Sequence, residues 1–191
     1  MMTGLVLAVL LVLAIGYFVG LYNGLVRVRA DVKLAWSNID VLLVQRHDEL
    51  PKLVETCKQY LQYEQHTLER VMEARSAVAS ARASGSVAAV GAAESGMRSG
   101  LAGLFAVAER YPNLKADEAF RHLQQRITGL EQAIADRREI YNEAVNINNV
   151  RVVTFPDSLI ATRYGFNESQ LLKFEAAQKA DVDLKAQFAA G

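Results

Sequence analysis

Residues 1–26 read MMTGLVLAVLLVLAIGYFVGLYNGLV and contain no charged side chain. Twelve of the positions between Leu5 and Leu21 are Leu, Ile, Val or Phe. At about 1.5 Å of rise per residue, a helix of this length extends about 39 Å, which exceeds the ~30 Å hydrocarbon core of a bilayer. Each of the twelve favours insertion by about 0.3–0.6 kcal/mol near the bilayer centre, and no charge opposes them. The stretch therefore predicts a membrane-spanning helix.

A cleaved signal peptide is the alternative interpretation of this stretch. A signal peptide begins with positively charged residues and ends in a small-x-small cleavage site. Here the first three residues include no Lys or Arg, and no small-x-small site closes the apolar run. Lipoprotein processing would need a cysteine at the end of the run, and the only cysteine is Cys57. We therefore expect an uncleaved anchor.

The charges beside the span predict its orientation. Arg27, Arg29 and Lys33 follow the span, whereas only the α-amino group precedes it. Because positive residues favour the cytoplasmic side, we expect the N-terminus outside and the rest of the chain in the cytoplasm, with the span in the cell (inner) membrane.

The composition of the rest of the chain excludes several classes of protein. Lys plus Arg and Asp plus Glu number 21 each, so no net basic field favours nucleic acid as a partner. One cysteine excludes an intramolecular disulfide framework. With three prolines, the composition favours long helices. We expect an anchor with its membrane exit at residues 1–29, a helical domain at 30–178 and a frayed tail at 179–191.

Apolar residues recur at helical spacing in three further segments. We predict long helices at residues 30–82, with a kink or break at 48–51 caused by Pro51, at 87–110 and at 117–149. Glu94 interrupts the second apolar seam and Arg137 the third. The third seam follows a heptad spacing, which indicates coiled-coil-like packing.

Four elements are predicted after the third helix. They are a β-branched patch at 150–154, a short helix near 159–163, a turn at Gly165 and a last helix at 168–178. The fold class is all-α: one transmembrane helix followed by an elongated antiparallel bundle of three long helices and a short C-terminal helix.

The densest ionisable cluster is Arg46, His47, Asp48 and Glu49, next to Pro51. His47 would titrate near neutral pH or bind a metal, but His66 and His122 do not supply ligand spacing. The competing interpretation is a helix-capping and salt-bridging cluster at the kink, and we expect no metal site. Cys57 lies on the apolar stripe, which predicts a buried structural thiol rather than a nucleophile.

Amide side chains are concentrated near the end of the third predicted helix. Asn142, Asn146 and Asn149 share one face at steps of four and three. We expect them to hold an irregular segment at residues 150–156 by capping its backbone groups. A polar recognition surface is the other interpretation.

Glycines recur at steps of four in the predicted span. Gly16, Gly20 and Gly24 form two consecutive Gly-x-x-x-Gly units on one helix face. Small residues allow transmembrane helices to approach closely, so this face would form a homo-oligomer or hold a partner helix. The alternative is that glycine is simply frequent in membrane helices.

Several stretches along the chain together indicate a family. They are YNGLV at 22–26, AWSNIDV at 35–41, QRHDELPKLVET at 45–56, YPNLKA at 111–116, YNxxV at 141–145, FP at 155–156 and GF at 165–166. In this order they resemble the LemA family of bacterial membrane-anchored helical proteins, over nearly the whole chain. Lys52, where Asn is more usual, and LLKF at 171–174, in place of paired aromatics, depart from the pattern. The resemblance implies an N-terminal anchor, a helical bundle and no established catalytic activity; some relatives take part in building magnetosome membranes.

No residue pattern in the chain indicates a reaction. There is no Gly-x-Ser-x-Gly elbow and no phosphate-binding glycine-rich loop. We expect a protein that is not an enzyme, uses no cofactor and acts as a membrane scaffold or adaptor, with the bilayer and an unidentified protein as partners. The alternative is an accessory subunit or regulator of a membrane enzyme such as a protease.

Overall fold

A computed structural model describes residues 2–174 of the 191-residue chain. Over that range the regular structure is entirely helical, which confirms the predicted all-α class. The helices are α1 (Met2–Lys58), α2 (Gln65–Ala83), α3 (Val87–Ala108), α4 (Pro112–Ala116), α5 (Glu118–Val153) and α6 (Asp157–Tyr164).

Helix α1 contains the apolar stretch that the sequence indicated. Its most apolar 18-residue window has a mean hydropathy of 2.7, and none of that window is buried by the rest of the chain. This helix is therefore long and apolar enough to cross a membrane. It continues without interruption from the span to Lys58, where it takes part in a helical core.

The predicted break at residues 48–51 is wrong, because α1 continues through Pro51. A proline has no N–H, so the carbonyl group four residues earlier, that of His47, lacks its helical donor. Arg75 of α2 replaces that donor: its Nε atom lies 2.9 Å from the His47 carbonyl oxygen. The freed carbonyl is thus satisfied, and the helix continues.

The chain leaves α1 at residues 59–64 instead, so the first long segment forms two helices. The backbone N–H groups of Tyr60 and Leu61 both donate to the Cys57 carbonyl oxygen, at 3.0 and 2.9 Å. The Leu61 side chain is fully buried, and the Tyr60 hydroxyl donates to the Asp117 carboxylate at 2.9 Å. Tertiary contacts thus place this turn. The predicted interruption between the helices at 30–82 and 87–110 is confirmed, and Gly85 there has a φ of +70°.

The described residues divide into two compact units. The first unit holds residues 2–43 and 132–171, and the second unit holds residues 44–131 and 172–174. The second unit contains the larger apolar core, built from α1, α2, α3, α4 and α5. Its buried residues are Leu50, Leu53, Val54, Cys57, Leu61, Leu68, Val71, Val78, Met97, Leu101, Leu104, Ala108, Leu114, Phe120, Leu123 and Ile127.

The first unit has a small apolar core of its own. This core contains Leu25 of α1, Val152 of α5 and three residues that follow α5: Ile160, Ala161 and Phe166. Because Val152 packs into this core, the β-branched patch is helical as far as Val153. The predicted irregular start at residue 150 is therefore wrong.

Two predictions concern the C-terminal part of the chain. The turn at Gly165 is confirmed, with the left-handed φ of +71° that favours glycine. The predicted helix at residues 168–178 is wrong for residues 168–174, which form no helix. Residues 175–178 and the predicted tail at 179–191 lie outside the described residues.

Candidate functional site

A buried ionic cluster joins three helices of the second unit. The Arg46 guanidinium of α1 makes two contacts with the Glu94 carboxylate of α3, one of them 2.9 Å between Nη1 and Oε2. It also binds the Glu131 carboxylate of α5. Arg46 and Glu94 are both about 1% exposed. We call these three residues the Arg46 cluster.

The two carboxylates keep Arg46 charged despite its burial. Burial by itself lowers the pKa of the guanidinium, but the hydrogen bonds and negative charges of Glu94 and Glu131 outweigh it, so the pKa of Arg46 is raised. A buried charge without such partners is very costly. The cluster can therefore link α1, α3 and α5 firmly, and its charged groups face one another rather than a substrate.

His47 and Asp48 do not join the cluster. His47 is half-buried, and burial lowers the pKa of its imidazole; the Arg75 and Arg82 charges lower it further, while Asp48 opposes them. Asp48 is exposed. Among residues 2–174, no group of three or more His, Cys, Asp or Glu side chains is arranged to hold a metal ion.

The next residue, Glu49, supports the salt-bridging interpretation. Its buried carboxylate receives Arg126 Nε at 2.9 Å and Lys52 Nζ at 3.2 Å. Cys57 is fully buried, as expected of a structural thiol. Burial raises the pKa of this thiol to about 12, and the Asp117 charge adds to the shift. At neutral pH the thiol stays protonated, which disfavours a nucleophilic role.

Asparagine side chains of α5 hold an extended segment of the first unit. Asn149 Nδ2 donates to the Ser169 carbonyl oxygen at 2.9 Å, and its Oδ1 accepts from the Ser169 backbone N–H at 2.8 Å. Asn148 Nδ2 donates to the Asn167 carbonyl oxygen at 3.1 Å. The Tyr141 hydroxyl adds a bond to the Gln170 carbonyl oxygen at 2.9 Å. Side chains thus satisfy backbone groups that a helix would otherwise satisfy.

These contacts correct the prediction for the asparagine face. Asn149 holds residues 167–169, together with Asn148, rather than residues 150–156. Asn148 is buried, Asn142 is half-buried and Asn146 is exposed. Arg137 is exposed as well and does not interrupt a core seam.

The three glycines of the span have different surroundings. A Cβ atom added at Gly16 or Gly20 would meet no atom within 4 Å. One added at Gly24 would lie 2.7 Å from the Arg151 guanidinium. The Arg151 guanidinium thus occupies the space beside Gly24, whereas Gly16 and Gly20 form an open face.

Aromatic side chains surround the end of the span in the first unit. The Tyr22 ring lies 5.3 Å from the Tyr164 ring and 5.7 Å from the Phe166 ring, both edge-on. Arg29 lies over the Phe166 ring at 6.0 Å. These contacts fix α6 and the chain after it against α1, just before the positive residues that follow the span.

Comparison with known proteins identifies the family. The LemA family model matches residues 35–188, which is most of the chain. The chain belongs to the LemA family. The match includes Arg46, Glu94, Glu131 and the asparagines of α5, whereas the glycine triplet of the span precedes it.

Similar LemA-related proteins come from magnetic bacteria. Magnetosome proteins MamQ 1 and MamQ 2 of Paramagnetospirillum magneticum (strain AMB-1) are each 29% identical over 85 residues, 44% of this chain and 31% of theirs. Magnetosome protein MamQ of Magnetospirillum gryphiswaldense (strain MSR-1) is 23% identical over 168 residues, 76% of this chain and 62% of its own. The chain thus spans less than two thirds of the length of these relatives.

The Arg46 cluster has a signal in the sequence. Arg46 falls on the apolar stripe between Leu43 and Leu50, and Glu94 interrupts the seam of the next helix. Two opposite charges that interrupt two facing seams predict a buried pair. The pairing of Asn148 with residue 167 had no such signal, because residues 166–174 lack any regular pattern.

Proposed function

We propose that this LemA-family chain is a membrane-anchored helical scaffold of the bacterial cell membrane that holds protein partners and catalyses no reaction. One observation carries the proposal: a single helix, α1, contains the exposed apolar span and also contributes Leu50, Leu53 and Cys57 to the core of the second unit.

The Arg46 cluster supports a structural role for the domain. Its charged groups pair with one another, and Arg46 and Glu94 do so in the protein interior. The relatives are named magnetosome proteins. We propose by analogy that this chain also works as part of an assembly at a membrane.

An accessory or regulatory subunit of a membrane enzyme, such as a protease, is the second candidate. An open, mainly apolar groove of about 650 Å³ in the second unit favours it. Val54, Leu68 and Met72 line the groove, and Tyr63 at its edge is 95% exposed. A groove of this size and character accepts a hydrophobic segment of a partner.

Crosslinking in living cells, followed by purification of the full chain in mild detergent, distinguishes the two functions. The scaffold is supported if the chain is crosslinked to further copies of itself and co-purifies with several different proteins, each in less than an equimolar amount. Co-purification of a single membrane enzyme in equimolar amount with the chain supports the accessory role. That enzyme should be lost from the Tyr63→Asp variant and retained by the exposed control, Tyr17→Phe. Reproducible catalytic turnover by the purified chain contradicts both.

Membrane orientation follows from the charges after the span. We expect a reporter fused after Gly191 to be active only in the cytoplasm, because Arg27, Arg29 and Lys33 favour the cytoplasmic side. Three Lys residues inserted after Thr3, with neutral residues at 27, 29 and 33, should shift the population outward. Activity of the unaltered fusion outside the cytoplasm contradicts this orientation.

The open glycine face predicts self-association of the span. Gly20→Leu adds apolar surface and so should leave insertion intact, but it should weaken crosslinking between copies, because it blocks close helix approach. Gly4→Leu, also without neighbours within 4 Å, is the matched control. Equal crosslinking yields for the unaltered chain and Gly20→Leu would exclude association through this face.

A further inference from the structure

We infer that residues 150–164, the α5–α6 corner, insert into the lipid bilayer beside the α1 span and form a second membrane contact. The inference rests on the proposed anchoring by α1, and its occupant is the phospholipid bilayer itself. It concerns an element that neither the periodicity of the sequence nor the family match marks as membrane-bound.

The corner exposes an unusual amount of apolar side chain. Phe155 is 74% exposed, Leu159 is 65% exposed and Val153 is 63% exposed. Val150 and Tyr164 are about half exposed as well. Large apolar groups gathered on one surface are typical of a site that contacts a membrane or another protein.

The position of the corner along α1 selects the membrane as the occupant. The Tyr164 ring lies 6.0 Å from the Phe18 ring, and Phe155 and Leu159 share a cavity wall with Ala14 and Phe18. Phe18 precedes Arg27 by nine residues, about 14 Å along a helix, so it lies well inside the apolar run. Wherever that run is in hydrocarbon, the side chains packed beside it are in the same leaflet.

The charged side chains of the corner are either paired with one another or long enough to extend out of the hydrocarbon. Its three charged residues are Arg151, Asp157 and Arg163. Arg151 Nε pairs with Asp157 Oδ2 at 2.6 Å, and this pair lies against Gly24, near the positive end of the span. The Arg163 guanidinium lies over the Tyr164 ring at 6.0 Å. The arginine stem is long enough to lie along apolar surface while its charged end extends toward the headgroups, as amphipathic side chains do at an interface.

Tryptophan fluorescence in vesicles of brominated phospholipids tests the inference on the full chain. Trp36 is the only tryptophan and packs against the Tyr141 ring at 5.4 Å, so Trp36→Phe provides a background that keeps a ring there. On this background, Phe155→Trp is the test and Leu11→Trp reports on the span. Glu139→Trp is the aqueous control, because residue 139 is exposed on α5 about 21 Å before Val153.

We expect bromine to quench Phe155→Trp nearly as strongly as Leu11→Trp, and far more strongly than Glu139→Trp. Leu159→Trp gives a second, independent reading if one variant does not fold. If Phe155→Trp and Leu159→Trp are quenched no more strongly than Glu139→Trp while Leu11→Trp is quenched, the insertion of the corner is overturned and the anchor is still supported. No quenching at residue 11 contradicts the anchor itself.

Discussion

Replacing Arg46 by methionine is expected to lower the free energy of unfolding by about 3–5 kcal/mol, because Glu94 then remains buried without its cation. Both side chains are about 1% exposed, so water cannot replace the lost partner. Glu131 is less affected, since it is partly exposed and lies 3.9 Å from Arg98. Denaturant unfolding of the full chain in detergent, followed by circular dichroism, measures the loss.

Two further variants separate the buried charge from a packing effect. Arg46→Met with Glu94→Met removes both charges, and it should recover much of the lost stability because an apolar pair can replace a buried ion pair. Lys52→Met removes the exposed partner of Glu49 and should cost at most about 1 kcal/mol. A loss below about 1 kcal/mol for Arg46→Met alone would contradict a buried cluster.

Ile127→Ala and Ile134→Ala are each expected to cost about 2–5 kcal/mol, because each removes a branched side chain from a closely packed core. Ile127 is fully buried and Ile134 is 1% exposed. Ile127 belongs to the second unit and Ile134 to the first, so the two variants test packing in both units. The same unfolding measurement applies.

The same helix offers a matched control. Ile140 is 48% exposed, so Ile140→Ala should change stability by no more than about 0.5 kcal/mol. Losses below about 1 kcal/mol at both Ile127 and Ile134 would show that the opposite face of α5 is buried.

Helical periodicity made much of this fold predictable. The position of Cys57 in the core followed from apolar spacing alone, because a packed helix buries one face. The heptad spacing failed near Arg137, which is exposed. Between Ile134 and Val152 the buried positions are 134, 141, 145, 148 and 152. The first and the last are 18 positions apart, which equals five helical turns of about 3.6 residues. A strict 3.5 repeat drifts away from that face.

A break at Pro51, predicted as the alternative to a kink, was wrong for a reason that local sequence does not contain. A proline breaks a helix chiefly because it leaves a carbonyl group without a donor and crowds the previous turn. Arg75, 28 positions after His47, supplies the missing donor through tertiary contact. The exit of the chain at residues 59–64 also depends on a distant partner, since Tyr60 binds Asp117.

The candidate site was only partly predictable. The cluster around Arg46 was recognised, but its partners Glu94 and Glu131 lie 48 and 85 positions away. The amide-rich end of α5 was likewise recognised, whereas its partner segment was not. Asparagine side chains bind any backbone group within reach, so only the fold of the first unit selects residues 167–169.

Extraction of membranes with alkaline carbonate tests the central claim, that α1 is a membrane-spanning anchor, most directly. We expect the full chain to remain in the membrane pellet, and a variant with Leu10→Lys and Leu13→Lys to move to the supernatant, because each lysine near the bilayer centre opposes insertion by about 2.5–3.5 kcal/mol. Recovery of the unaltered chain in the supernatant would contradict the anchor and the function built on it.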